Sequence, residues 1–561
     1  MLEIRDNFYL NGEPFKIISG AFHYFRTVPE YWQDRIEKLV NMGCNTVETY
    51  IPWNFHEPEK GNFRFDGMHD IERFIHLAEK MGLYIIIRPS PYICSEWEFG
   101  GLPAWLLRDR NMRLRCSYEP YLNAVKEYYS VLIPKLVPHQ CDRGGGVILV
   151  QLENEYGYYG NDTAYLEFLR DTLRELGVTV PFVTSDGPWS EPIFKSGMLN
   201  GALPTGNFGS GAEWQFGQMR KYIGENKPLM CMEFWNGWFD AWGEEHHTTS
   251  PEKAASELDE LLKRGSVNFY MFEGGTNFGF MSGRNGGSKT GDVTSYDYDA
   301  PLTEDGQITE KYRLFKEVIA KYTDIHEIPL TTEIRRRAYG RISCTGKTDL
   351  FSVLDKISVP VKSSYPLTME DIGQDYGYIL YRTKIRDVET VSEIRLEGAA
   401  DREKFEPQQK RTSGIIDLLC ENTGRENFGT GLENQRKGIS GGVKINDHRH
   451  FGFEIYPLPL DERQIAALDF GIGYIENTPA FYRFELDIDE PCDTFLDTDG
   501  FGKGCAFVNG FNIGRFWEIG PQKRLYIPAP LLQIGKNTIV IFETEGKAAD
   551  SIFLAGEHRL F

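Results

Sequence analysis

Basic residues are scarce relative to acidic ones: 61 Lys and Arg stand against 82 Asp and Glu, a net charge of −21 at pH 7. A field of that sign repels phosphate backbones and anionic membrane surfaces, which excludes nucleic acid as a natural partner and favours a small neutral substrate. Long apolar runs are missing too. Stretches such as GVILVQL at 146–152 are far too short to cross a bilayer. The opening residues, MLEIRDNFYLNGEPF, carry charges throughout and lack the apolar core of a secretory signal. Cysteine is sparse and unpatterned: nine scattered residues contain no CxxC pair, which excludes a zinc-finger spacing and a disulfide framework. Reduced thiols in a cytoplasmic protein are expected. Metal and phosphate signatures are absent as well. His23 and His56 stand apart with no HExxH spacing and read as hydrogen-bonded structural groups, and the pair His246–His247 reads as solvated loop. The glycine-rich EGGTNFGF at 273–280 lacks the Lys-Ser/Thr ending of a phosphate-binding loop.

What the chain does have is rhythm. Its 561 residues exceed what one hydrophobic core can organise, so several domains are expected. Through residue 325 a short apolar strand, a polar turn and an amphipathic helix recur. The strand candidates are 15–20, 45–53, 83–89, 146–155, 181–186, 201–208, 228–234 and 266–272, the sixth (GALPTGNF) having the weakest strand character. Helix candidates such as 29–43, 69–82, 163–177 and 251–265 keep a 3.6-residue apolar period and end in glycines suited to a left-handed cap. Continuous apolar strands alternating with helices predict a parallel (β/α)8 barrel. Beyond 325 the helical period vanishes, and short strands joined by Gly, Asn and Asp turns predict two all-β modules of jelly-roll or sandwich type. The expected division is 1–325, 326–440 and 441–561, with the polar stretch DREKFEPQQKRT at 401–412 as an exposed loop.

In such a barrel the chemistry stands at the C-terminal ends of the strands. Two of those ends carry carboxylates among aromatics: VQLENEYG at 150–157, with Glu153 and Glu155, and MEFWNGW at 232–238, with Glu233. Strands four and seven face each other across the barrel mouth. Paired carboxylates are what glycosidic cleavage needs, one to protonate the leaving oxygen and one to support the anomeric carbon. Nine of the ten tryptophans fall at or before residue 242, and Trp53, Trp97, Trp189, Trp235 and Trp238 lie in expected rim loops, where indole faces suit pyranose rings.

YIPWNFHEP, RPSPYICSEWEFGGLPAWL, GGGVILVQLENEYG, CMEFWNGWFDAWG, YMFEGGTNFG and TSYDYDAPL, in that order along the chain, resemble the family-35 glycoside hydrolases, which are β-galactosidases. The resemblance spans the barrel and continues into GFGKGCAFVNGFNIGRFW at 500–517, which looks like that family's galactose-binding-like jelly roll. The tail looks most like the compact bacterial members that favour β-1,3-linked galactosides. The resemblance implies that Glu155 is the proton donor and Glu233 the nucleophile of a retaining double displacement. It leaves Glu153 as a supporting partner for Arg88. It also implies galactose contacts from Tyr50, Cys94, Ser95, Glu96, Asn154, Tyr270 and Tyr298, with Trp238 as a wall for the leaving sugar. No metal or organic cofactor is implied, the partner is a galactoside oligosaccharide, and a homodimer is compatible with it. One stretch departs from the family. Between IRLEG and IIDLLCEN its members carry further hairpins, whereas the interval here is short and polar, which predicts an abbreviated first β-module. Other readings of the same residues are an exo-glycosidase for another β-linked sugar, a galactoside-binding protein without turnover, and a metal-dependent barrel enzyme.

Overall fold

The computed structural model describes residues 1–89, 91–385, 391, 393–407 and 414–560, apart from the side chains of 403–407. Eight parallel strands close into a barrel in chain order: β1 (Ile18–Phe22), β2 (Thr46–Tyr50), β3 (Tyr84–Arg88), β4 (Val147–Gln151), β5 (Phe182–Asp186), β6 (Ala202–Asn207), β7 (Met230–Trp235) and β8 (Ser266–Glu273). Closure comes from β8 pairing with β1 in the register Val267 to Ile18 and Phe269 to Gly20. Every strand segment expected from the apolar runs is found. The weak sixth one forms because β5 and β7 supply its neighbours on both sides.

Each strand is followed by a helix: α1 (Trp32–Met42), α2 (Ile71–Lys80), α3 (Glu119–Leu136), α4 (Thr163–Glu175), α5 (Glu191–Gly197), α6 (Ala212–Ile223), α7 (Pro251–Arg264) and α8 (Glu310–Ile319). Their starts are chemically marked. Side chains of Asp70, Asp162, Ser250 and Thr309 accept hydrogen bonds from first-turn amides, satisfying donors that the helix leaves open. Gly43 ends α1 at φ 103°, a conformation that disfavours side chains, whereas Gly265 after α7 is extended rather than left-handed. The helices bury their apolar stripes against the strands in one continuous core. A small N-terminal sheet places Leu2 and Phe8 in a second cluster with Ile86, Leu149, Val183 and Met230.

The remainder is predominantly β; its α-helices among the described residues are Leu350–Ile357, which buries one face where no helical period was expected, and the short Glu462–Ala466. An eight-stranded antiparallel sheet contains Ala480–Ile488, Thr494–Asp497, Lys503–Val508, Phe511–Trp517, Arg524–Ile527, Gly535–Glu543 and Ser551–Ala555, and also Gly340–Asp349. A five-stranded sheet runs Val361–Ser363, Phe453–Leu458, Tyr378–Lys384, Ile415–Glu421, Arg402–Pro407. A third sheet of three strands packs on it. The strand Tyr378–Lys384 is buried on both faces: Tyr378 and Leu380 point into one core cluster and Ile379 and Tyr381 into another.

These pairings cross the division expected at 440. Gly438–Ile445 spans it, Phe453–Leu458 pairs with Tyr378–Lys384, and Gly340–Asp349 pairs with strands of the last hundred residues. Part of 401–412 is strand as well, because Arg402–Pro407 finds a complete partner in Ile416–Glu421; residues 408–412 lie outside the described residues.

Barrel and tail are fastened at the active face. Arg425 donates to Glu98 at 2.6 Å and to Glu370 at 2.6 Å, and all three side chains are fully buried. Just beyond Arg425, Glu426–Phe428 pairs in parallel with Arg284–Asn285 of the loop after β8.

Candidate active site

The C-terminal ends of the strands surround a cavity of about 300 Å³. Its lining includes Tyr50, Cys94, Ser95, Glu96, Asn154, Glu155, Glu233, Trp238 and Tyr270. The structure thus brings together every residue expected to catalyse or to contact the sugars except Tyr298. That side chain stacks on His558 at 4.0 Å and donates to Glu304 at 2.5 Å, away from the cavity; Tyr296, two residues earlier, lines it instead. Residues 294–300 form bends and turns rather than a strand, so the two tyrosines of SYDYD, two residues apart, do not share a face, and the motif alone does not say which one faces in.

Glu233, at the end of β7, is ringed by donors. Tyr50 Oη lies 2.6 Å from its Oε1, Arg88 Nη2 donates to the same oxygen at 2.7 Å, and the Trp235 indole donates to Oε2 at 3.1 Å. Arg88 is itself fully buried, with its guanidinium 3.9 Å from the centre of the Tyr50 ring and 3.6 Å from Glu48. The Tyr50 hydroxyl is also 3.0 Å from Asn154 Oδ1, which accepts from Arg88 as well, so the donors that hold Glu233 also hold Asn154.

Glu155 has different surroundings. A single amide, Asn207 Nδ2 at the end of β6, donates to its Oε1 at 3.1 Å, and the Ser185 hydroxyl donates to Asn207 Oδ1, turning the NH2 toward the carboxylate. Burial, followed by the charge of Glu233, pushes the Glu155 carboxyl up to about 8; Asn207, Arg88 and Arg115 oppose that rise.

The two glutamates of ENE part company because the strand ends at Gln151. Glu153 and Glu155 both adopt left-handed backbone, at φ 57° and 47°, so a period of two no longer puts them on one face. Glu153 turns away from the cavity. It receives Arg115 at 3.0 and 2.8 Å and the Tyr165 hydroxyl at 2.8 Å. Arg88, its expected partner, serves Glu233 instead.

The loop after β3 makes a second left-handed run, Cys94, Ser95 and Glu96, at φ 61°, 62° and 49°. Non-glycine residues held this way cost free energy and persist where the surroundings enforce them. Here the enforcement is visible: Glu96 Oε2 accepts from Tyr270 at 3.1 Å and Ser295 at 2.8 Å, and Ser95 Oγ accepts from Arg26 at 3.2 Å.

Aromatic rings form an arc at the mouth: Phe428 with Tyr158 (5.7 Å between centroids), Tyr158 with Trp189 (6.0 Å), Trp189 with Trp235 (5.8 Å) and Trp235 with Trp238 (5.7 Å). Trp189 and Trp238 are 39% and 37% exposed, a costly display of indole unless a ligand covers it. Trp53 and Trp97 are core, not rim; both are buried, donating to Glu57 at 2.6 Å and Asn54 at 2.9 Å. Asn207, Tyr158, Asn285, Tyr296, Asn427 and Phe428 were not singled out from sequence. The last two come from the tail, which no barrel rhythm announces.

The histidines behave structurally. His23 Nδ1 faces Arg26, and burial pushes its imidazole well down, keeping it neutral. His56 bonds Tyr24 and the Arg64 carbonyl. The His246–His247 loop is not simply solvated, since both rings contact Asp240, at 2.7 and 3.0 Å.

A buried carboxylate pair in the mouth of a parallel barrel, under an arc of exposed indoles, defines a glycoside hydrolase. The family model "Glycosyl hydrolases family 35" matches residues 7–322, and "Beta-galactosidase, galactose-binding domain" matches 479–537. Human "Beta-galactosidase-1-like protein 2" is 39% identical over 96% of this chain and 88% of its own length. Human "Beta-galactosidase" is 39% identical over 96% of this chain and 86% of its length, and the mouse "Beta-galactosidase" 38% identical over 96% and 91%. The chain belongs to glycosyl hydrolase family 35, as a β-galactosidase acting on galactosides. Among the described residues no helix is long and apolar enough to cross a membrane.

Proposed function

We propose that the enzyme is a retaining exo-β-galactosidase that removes terminal β-galactose through a galactosyl-enzyme, with preference for β-1,3 linkages. The observation that carries this reading is the asymmetry of the two carboxylates. Glu233 is surrounded by three donors, one of them cationic, as a carboxylate nucleophile requires, while Glu155 has one neutral amide and a carboxyl raised to about 8, as a general acid requires.

Glu233 attacks the anomeric carbon as Glu155 transfers its proton to the glycosidic oxygen; the C1–O bond breaks and the leaving sugar departs with that proton. Glu155, now anionic, takes a proton from water, whose oxygen attacks C1. The ester to Glu233 breaks, and galactose leaves in the β configuration with Glu155 reprotonated. Negative charge moves from Glu233 to Glu155 and back, so the proton affinity of Glu155 falls when Glu233 is esterified. Cys94–Glu96, Asn154 and Tyr270 supply polar contacts to the galactose hydroxyls. The arc from Phe428 to Trp238 receives the leaving sugar. The small cavity suits a terminal residue and not the middle of a chain. The linkage preference rests on the likeness of the tail to compact bacterial members of the family.

Proton NMR of fresh enzyme with galactosyl-β-1,3-N-acetylglucosamine tests the reading, β-galactose being expected first. α-Galactose appearing first would overturn the double displacement, and faster release from the β-1,4 or β-1,6 isomers would overturn the linkage preference.

A further inference from the structure

Away from the barrel mouth, α2 and the turn Val137–His139 bring His76, Glu79 and His139 together, with candidate ligand atoms of all three within 4.8 Å of one another. We propose that this cluster is a zinc site, completed by water, that staples α2 to the chain leading into β4. It plays no part in the chemistry, since none of the three residues lines the catalytic cavity.

Three features of the cluster point to an ion rather than to an ordinary ion pair. His76 and Glu79 are three residues apart on α2 and share a face. His76 Nδ1 bonds to the Glu72 carbonyl at 2.9 Å, which fixes the tautomer and leaves the Nε2 lone pair free; metal-bound imidazoles are oriented by a bond of this kind. Glu79 is likewise oriented, its Oε1 accepting the Gly146 amide at 2.9 Å.

The separation of His139 from Glu79 agrees. His139 Nδ1 stands 3.2 and 3.3 Å from the two Glu79 oxygens, longer than the roughly 2.7–2.9 Å of a charge-assisted hydrogen bond and shared between both acceptors. An ion bonded at about 2.1 Å to each of two atoms 3.2 Å apart subtends roughly 100° between them, near the tetrahedral angle. Two neutral imidazoles and one carboxylate are a donor set that zinc accepts, with an open fourth position for water. The His139 side chain is 8% exposed and that of Glu79 22%, while His76 is exposed, so the site has a dry floor and an open entrance. Gly146 directly precedes β4, whose far end leads to Glu155.

The test uses the whole protein, stripped with chelator and dialysed. Zn²⁺ is titrated in competition with a chromogenic chelator, and thermal melts are recorded with and without Zn²⁺. One saturable equivalent and a rise in Tm are expected, together with the visible absorption of tetrahedral Co²⁺ when Co²⁺ is substituted. His76→Gln and His139→Gln should each weaken Zn²⁺ binding at least about tenfold and abolish the Co²⁺ spectrum. His76 is on the surface, so its variant remains informative even where the buried His139 variant folds poorly. Absence of saturable binding below about 100 µM would overturn the proposal. So would unchanged affinity in the His76 variant, which would put the ion at cysteines or the catalytic carboxylates.

Discussion

Raising the pH from 7 to 9 separates the acid role of Glu155 from the other contributions to turnover. The residue must carry its proton to assist the leaving oxygen, so activity that depends on it is present below its pKa and lost above. With the carboxyl at about 8, its protonated fraction falls from about 0.9 at pH 7 to about 0.1 at pH 9, and kcat/KM for a galactosyl disaccharide falls about tenfold with it. Glu155→Ala removes that proton at every pH. On the disaccharide the variant should lose about 10²- to 10⁴-fold at pH 7. On 2,4-dinitrophenyl β-galactoside, whose leaving group needs no proton, the loss in forming the galactosyl-enzyme should be far smaller and the alkaline limb of kcat/KM should disappear. Asn207→Ala supplies an internal control. The Asn207 amide stabilises the Glu155 anion, so its removal should move the limb of the otherwise intact enzyme to higher pH. Initial rates on both substrates across pH 5 to 10 decide the matter. An unchanged alkaline limb in Glu155→Ala, or equal losses on the two substrates, would refute the assignment of Glu155 as the acid.

Glu233→Gln should lower kcat by several orders of magnitude while substrate binding, measured calorimetrically, persists; retention of a tenth of wild-type kcat would exclude it as nucleophile. Arg115→Met strands the buried Glu153 carboxylate without its cation, and denaturant unfolding should report a loss of about 3–5 kcal/mol. Phe428→Ala shortens the aromatic arc, so kcat/KM should fall about 3- to 10-fold for disaccharides and stay constant for β-galactosyl fluoride, which has no leaving sugar to stack.

The barrel was legible because its strands are covered on both faces and therefore read as unbroken apolar runs, from YIIIR to SVNFYMF. That Glu155 and Glu233 stand together in the barrel mouth was legible by residue type, since carboxylates beside buried strands demand an explanation. What escaped depends on long-range contacts. Gly340–Asp349 reads GRISCTGKTD, with little apolar content, and is a strand only because Ala480–Phe484 and Ser551–Leu554 flank it. Glu153, expected to partner Arg88, bonds Arg115 instead, because left-handed backbone at Glu153 and Glu155 breaks the alternation that the sequence suggested. Trp53 and Trp97 carry the same residue type as Trp189 and Trp238, and only the packed neighbours decide which indoles meet solvent.

That strand, Gly340–Asp349, has a consequence for synthesis. It leaves the ribosome soon after the barrel, yet its partners are Ala480–Phe484 on one side and Ser551–Leu554 on the other. The barrel has all eight strands by residue 273 and can begin to assemble on the nascent chain, but the large tail sheet cannot close until Ser551–Ala555 has emerged. The Arg425 clamp and the Phe428 wall lie between these two events. A chain stopped short of Ser551 would therefore hold Glu155 and Glu233 in a closed barrel while leaving the edges of Gly340–Ser343 and Phe495–Asp497 unpaired, a template for association with other unfinished copies.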